Sequence, residues 1–214
     1  TALERAHAHA PDLAARLHES SELRPFTAST LLGKRAQSPD PAQRYTLRFT
    51  ALTAELSALL LQAAQPGGRL APGAVVELDY QPFQVETAAS QPEEQAWAAA
   101  SSYQQIFGQH MLHPQPPRRV QLHLASPTSF RSSGRTQPLP LPEFLFGSLL
   151  DRWNAFAPTA MPDELRRFSA ECLNISRYQL RSVAVPVKES GLRIGAVGTV
   201  SYTTQNYDRY WMSL

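Results

Sequence analysis

The segment from Tyr178 to Thr203 reads YQLRSVAVPV, then KESG, then LRIGAVGTVSYT. Both flanking runs are rich in the apolar and β-branched residues that fit a pleated surface. Glu189-Ser190-Gly191 between them is turn chemistry. Two strands, Tyr178 to Val187 and Leu192 to Thr203, are therefore expected as an antiparallel pair. Upstream, Pro162 suits the first turn of a helix that runs to about Leu173. Phe144 to Phe156 predicts a strongly apolar helix that stops before Pro158. Val120-Gln121-Leu122-His123-Leu124 alternates apolar and polar residues, the period of a half-buried strand. Residues 131–142 are basic and Pro-rich and are expected as loop. Downstream, Asn206 can cap a last helix with Tyr207, Tyr210 and Trp211 facing inward. Strand, helices, strand, strand, helix is a ferredoxin-like unit that still needs its last strand.

The first half of the chain shows the same order. Pro11 opens a helix with a narrow stripe of Leu13, Ala14 and Leu17, and Pro25 ends it. Phe26 to Leu32 alternates like a strand, and 33–43, with Gly33, Pro39 and Pro41, reads as loop. Tyr45-Thr46-Leu47-Arg48-Phe49 has strand period, and Leu52, Leu56, Leu59 and Leu60 have helical spacing up to Gly67-Gly68. Val75 to Tyr80 and Phe83 to Val85 make one bent strand or two. One further strand before Thr1 completes β-α-β-β-α-β. The expected class is α+β: two tandem ferredoxin-like (RRM-like) domains, each an antiparallel sheet with helices on one face. The first covers 1–90, a linker with a short helix covers 91–117, and the second covers 118–214. The chain starts at Thr1 and ends at Leu214 in a helical pattern, so a piece of a longer or fused protein is expected.

With 214 residues, 43% of them hydrophobic, there is material for one large domain or two small ones. No uncharged apolar run approaches the roughly 18–20 residues of a membrane helix. The single Cys172 excludes a disulfide scaffold and a cysteine-clustered zinc site. With no secretory signal, a cytoplasmic location is expected. The net charge of +2 conceals an asymmetry: of 20 basic residues only Lys34 and Lys188 are lysines. Between Glu94 and Glu143 there is no acid, whereas Arg118, Arg119, Arg131 and Arg135 fall there. Arg166, Arg167, Arg177 and Arg181 form a second basic group against Glu171. Arginine suits bidentate phosphate contact and base stacking, so a polyanion-facing half is expected.

Several chemistries lack their residues. Gly33-Lys34 has no upstream P-loop glycine, and Gly191, Gly195 and Gly198 lack dinucleotide-binding spacing. Ser148 follows Gly147 without a nucleophile elbow. His7 with His9, and His110 with His113, each offer two metal ligands and no suitable third. Neither metal nor cofactor is expected. Tandem open sheets with many arginines fit RNA, whose splayed bases stack and hydrogen-bond on such a face. Phe144, Phe146, Trp153 and Phe156 read as core, and Ser126 to Ser129 as a turn that positions Phe130 and Arg131.

Ser126-Pro127-Thr128-Ser129-Phe130-Arg131, followed by Leu139-Pro140-Leu141-Pro142-Glu143-Phe144-Leu145-Phe146-Gly147-Ser148-Leu149-Leu150 and Arg152-Trp153-Asn154-Ala155-Phe156, resembles the CRISPR-associated (Cas) protein six family. Leu17-His18-Glu19, Pro25-Phe26-Thr27, Leu31-Leu32-Gly33, Tyr45 to Thr50 and Gly195 to Val200 extend the resemblance over nearly the whole chain. These are endoribonucleases of the RAMP superfamily that cut CRISPR precursor transcripts. The resemblance implies metal-independent cleavage: a ribose 2′-hydroxyl attacks the adjacent phosphorus and leaves a cyclic phosphate and a 5′-hydroxyl. It implies His18 as the proton-transfer residue and Arg24 as a cation on the phosphorane, with His7 or His9 as substitutes. Arg118, Arg119, Ser129, Arg131, Arg135, Arg177 and Arg181 are the expected RNA contacts. The alternative is a non-catalytic RAMP scaffold that holds guide RNA. The implied partner is CRISPR repeat RNA, with an effector complex, fused domains or a second copy of the chain left open, and no membrane. The family's Gly-rich loop near the C-terminus is not found before Leu214.

Overall fold

The computed structural model describes residues 23–33, 39–78, 81–111, 117, 119–132, 134–187 and 191–204. The helices expected over 11–20 and after Asn206 lie outside the described residues, as do His7, His9, His18 and Arg118. The architecture is α+β, and every ladder with a described register is antiparallel, in keeping with tandem ferredoxin-like folds. Contacts divide the chain into two units. One holds the described residues through Thr27 together with Phe49–Ser102; the other holds Ala28–Arg48 and the residues from Tyr103 onward.

In the first unit, β1 (Phe26–Ala28) neighbours β2 (Phe49–Ala51). Both are shorter than the alternation predicts. Beyond Ala28, within residues of the second unit, the Ser29 hydroxyl accepts the Arg48 N–H at 2.9 Å, a side-chain bond that interrupts the ladder before the isolated Leu32–Thr46 bridge. Helix α1 (Ala54–Ala64) starts where Thr53 accepts the Leu56 N–H at 3.4 Å. The stretch over 75–85 is two strands, not one. β3 (Val75–Leu78) and β4 (Gln81–Gln84) form a hairpin with Val75 opposite Gln84.

The larger segment of the second unit begins, after a stretch without helix or strand, at α2 (Tyr103–Met111), where Tyr103 meets Trp153 edge-on at 5.2 Å. Three strands follow the expected order: β5 (Val120–Thr128), β8 (Leu173–Val187) and β9 (Gly191–Thr204). The sheet order is β5-β9-β8, which is strands one, three and two of a ferredoxin-like sheet. Residues 131–142 are not all loop. β6 (Phe130–Ser132) and β7 (Arg135–Gln137) pair as a small hairpin. Arg-Thr-Gln has no apolar alternation to betray a strand.

Helix α3 (Pro142–Phe156) carries Pro142 in its first turn and buries Leu145, Phe146 and Leu150. Helix α4 (Glu164–Cys172) buries Leu165, Phe168 and Ser169. Asn154 joins them: its Nδ2 donates to the Met161 carbonyl at 3.0 Å and its Oδ1 accepts the Met161 N–H at 2.7 Å. The core comprises Leu145, Phe146, Phe168, Leu173, Val200 and Tyr202, with Val120, Leu122, Leu124, Phe130 and Ile175 against it. At its centre the Tyr202 ring meets Phe146 edge-on at 5.0 Å, and its hydroxyl donates to the Pro140 carbonyl at 2.6 Å.

Burial raises the Tyr202 hydroxyl pKa far above its ordinary value. Its contribution to stability is therefore whole below about pH 10 and is lost as pH rises beyond that. Tyr202→Phe keeps the ring contact and leaves the Pro140 carbonyl without its donor. Denaturant titration at neutral pH should show a loss of about 1–3 kcal/mol. The stability of the parent should fall more steeply above about pH 10 than that of Tyr202→Phe.

Candidate nucleic-acid interface

Two polar surfaces of the second unit can meet a polyanion. The first is the sheet face opposite the core. Val200 and Tyr202 point into the core, so the alternate residues Thr199 and Ser201 face the other way. Thr199 lies opposite His123 and Gln179, and Ser201 lies opposite Gln121 and Arg177. Arg181, opposite Val197, continues the row. Arg177, Gln179 and Arg181 are exposed. The sheet therefore presents amides, the Thr199 hydroxyl, an imidazole and two guanidinium groups, with Ser201 buried among them. A shallow depression of about 470 Å³ lies here, with Arg181 and Gln179 in its wall. Ser176 makes this register possible. It is the extra residue of a bulge between Ile175 and Arg177, and its hydroxyl donates to the Ser201 carbonyl at 3.3 Å.

The second surface is a cleft of about 280 Å³ lined by Ser129, Phe130 and Arg131, by Glu143, Phe144, Ser148 and Asp151 of α3, and by Arg166 of α4. A bulge in β5 aims the chain into it. Leu124 pairs with Gly198 and Thr128 with Ala196, so Ala125, Ser126 and Pro127 oppose one residue of β9. Thr128 closes the irregularity by donating its hydroxyl to the Ser126 carbonyl at 2.9 Å. Gly198 has φ +126°, and a Cβ there would stand 2.1 Å from the Gln179 carbonyl oxygen. The expected turn at Ser126 to Ser129 is this bulge within the strand. On α3, Phe144, Ser148 and Asp151 recur at helical spacing and share a face. Arg152 donates from Nη1 to the Ser148 hydroxyl at 2.6 Å. Phe144 stacks on Phe130 with centroids 6.3 Å apart.

The arginines sort into paired and unpaired groups. Arg166 is bound to Asp151, and Arg167 to Glu171 by two bonds of 2.9 and 3.0 Å. The hydrogen bond that Arg167 donates to Glu171, and then the charge of that carboxylate, hold the Arg167 guanidinium above its ordinary pKa. The second basic group is thus half neutralised, and Arg177 and Arg181 remain. Arg119, Arg131 and Arg135 are exposed and have no ion pair among the described residues. Arg131 lies opposite Thr136, and Arg135 opposite Ser132, so the two guanidinium groups leave opposite faces of the hairpin. Arg24 is exposed in the first unit, just before β1.

Residues 122–213 match the family model described as CRISPR-associated endoribonuclease Cas6. Over these residues the chain is similar to the Cas6 family. A Cas6 (TTHA0078) product complex is 25% identical with a TM-score of 0.76, over 98% of this chain and 79% of that one. A histidine-to-alanine mutant of Cas6 (TTHA0078) is 26% identical with a TM-score of 0.67, over 94% of this chain and 76% of that one. Thermus thermophilus Cas6 (TTHB231), at 23% identity and TM-score 0.68, covers 98% of this chain and 76% of its own and shows the shared fold. No curated protein matches the sequence.

Of the residues singled out in the sequence, Ser129 and Arg131 come together in the cleft, and Arg177 and Arg181 on the sheet. Glu143, Ser148, Asp151 and Arg166 complete the cleft and were not among the expected RNA contacts, although Glu143 and Ser148 lie in the stretch that carries the resemblance and Arg166 in the second basic group. The helical spacing of Phe144, Ser148 and Asp151 marks the face of α3 that lines it.

A Cβ on Gly147 would stand 2.8 Å from Nη1 of Arg166, so α3 is bare where that guanidinium crosses. Gly147→Ala should therefore gain the full helix-propensity benefit of about 1 kcal/mol only when Arg166 is already Ala. A double-mutant cycle by denaturation measures this; strict additivity would contradict it.

Proposed function

We propose that this chain is a metal-independent endoribonuclease that cuts CRISPR precursor transcripts within the repeat. The observation that carries the reading is the set of arginines without an ion pair among the described residues, Arg131, Arg177 and Arg181, on a Cas6-like fold whose core-distal sheet face is polar. Product and substrate-mimic complexes of Cas6 (TTHA0078), similar in fold to this chain, support it. The 2′-hydroxyl beside the scissile bond attacks the phosphorus, the P–O5′ bond breaks, and a cyclic phosphate and a 5′-hydroxyl remain. His18, with His7 and His9 as substitutes, moves the proton, and Arg24 stabilises the charge that develops on the phosphorane. Arg118, Arg119, Ser129, Arg131, Arg135, Arg177 and Arg181 hold the RNA. The domains of this reading are 1–90 and 118–214, joined by 91–117.

The test is incubation of the chain with repeat RNA of its source genome in EDTA, followed by end-group analysis. Cleavage should persist and should stop when the nucleotide before the cut carries a 2′-deoxy substitution. A magnesium requirement would sink the mechanism, and binding without cleavage would favour a guide-RNA scaffold. In single turnover, His18→Ala should cut about a hundredfold or more slower with RNA affinity nearly intact.

The electrostatic part has its own measurement. Arg131→Ala, Arg177→Ala and Arg181→Ala should each reduce the salt slope of RNA binding by about 0.7. Arg167→Ala, already paired with Glu171, should leave the slope unchanged.

A further inference from the structure

We infer that the cleft between β6, α3 and α4 is a single-nucleotide subsite that reads the Watson–Crick edge of a guanine in bound RNA. The inference rests on the RNA reading above and assigns the cleft a base. Its walls hold two carboxylates, but they are not equivalent. Asp151 is occupied by Arg166. Glu143 is half-buried in the cleft wall and has no hydrogen-bond or ion-pair partner among the described residues. A partly desolvated carboxylate without donors is unfavourable, and a ligand that brings donors relieves it. Guanine alone among the four bases offers two adjacent donors on that edge, N1–H and the N2 amino group, which match two carboxylate oxygens. Adenine and cytosine each set one donor beside an acceptor, and uracil flanks one donor with acceptors.

The rest of the cleft suits the rest of a nucleotide. The Phe130–Phe144 pair supplies an aromatic wall. The Ser148 hydroxyl accepts from Arg152 at 2.6 Å, which leaves its own proton to donate into the cleft. Arg131 is exposed and has no ion pair among the described residues, placed for a phosphate. At about 280 Å³ the cleft lies near the lower limit, about 300 Å³, for small-ligand pockets, which fits one splayed nucleotide and not a duplex.

Titration of the chain with 5′-GMP, 5′-IMP and 5′-AMP tests this. GMP should bind about tenfold or more tighter than AMP, the discrimination of a good bidentate contact, with IMP between because it lacks the N2 amino group. Glu143→Gln, which presents one donor and one acceptor, should shift the preference from GMP toward AMP. Glu143→Ala should abolish it, with the fold checked by thermal melting. Arg131→Ala should weaken all three nucleotides alike. A pentaribonucleotide with one central guanine should bind more tightly than GMP, because its flanking phosphates add contacts. Equal binding of GMP and AMP, a guanine preference that survives Glu143→Ala, or a pentamer no tighter than GMP would each overturn the subsite. Repeat-RNA cleavage separates the two readings. A chain that cuts the repeat without guanine preference loses the subsite alone, and one that prefers guanine without cutting loses the cleavage reading alone.

Discussion

The second unit depends on a single buried tyrosine. Tyr202 sits in the middle strand of the sheet, packs its ring on Phe146 of α3, and donates its hydroxyl to the Pro140 carbonyl just before that helix begins. One side chain thus fixes both how far α3 stands from the sheet and where its first turn lies. Glu143, Phe144 and Ser148 follow within two turns of that anchor, so the cleft inherits its geometry from the core. The bulge in β5 does the complementary work, bringing Ser129 to Arg131 towards the same helix face. The cleft is therefore built where one interrupted strand meets a helix anchored on the core.

Charge pairing decides which arginines have work left to do. Eight arginines between Arg118 and Arg181, apart from Arg152, look equivalent in the sequence. In the structure two of them are spoken for: Arg166 by Asp151, fifteen residues away, and Arg167 by Glu171, one helical turn on. Both pairs are largely solvated, so they add little stability. Their effect is selective, since a guanidinium already holding a carboxylate competes less well for a phosphate. The unpaired cations are left along the strand β8, the hairpin β6–β7 and the approach to β5.

Much of this fold was legible. The period-two run at Val120–Leu124, the apolar helix around Phe146 and the long hairpin around Gly191 all stand out because burial on one side leaves a periodic imprint on the chain. The β6–β7 hairpin left no imprint, because three polar residues such as Arg135-Thr136-Gln137 pair through backbone alone. The truncation of β1 escaped for a related reason: the Ser29 hydroxyl takes a bond that the ladder would otherwise have made. In the cleft, Ser129 and Arg131 were expected as RNA contacts, whereas nothing in the sequence brought Glu143, from the same motif, into one cleft with Arg166 of the second basic group. Residues that meet only through tertiary packing, here across more than twenty positions of chain, carry no local pattern.

The order β5-β9-β8 leaves β8 at an edge of its sheet among the described residues. A fifteen-residue strand with an open row of amides and carbonyls is a template on which another chain can grow. Arg177, Arg181 and Pro186 interrupt that template with charge and with a missing donor. The guanidinium groups that would draw in RNA thus also keep neighbouring molecules from zipping onto the strand. On the proposed reading, affinity for a polyanion and resistance to aggregation are tied to the same side chains, so engineering that neutralises β8 to weaken RNA binding also removes its guard against self-association.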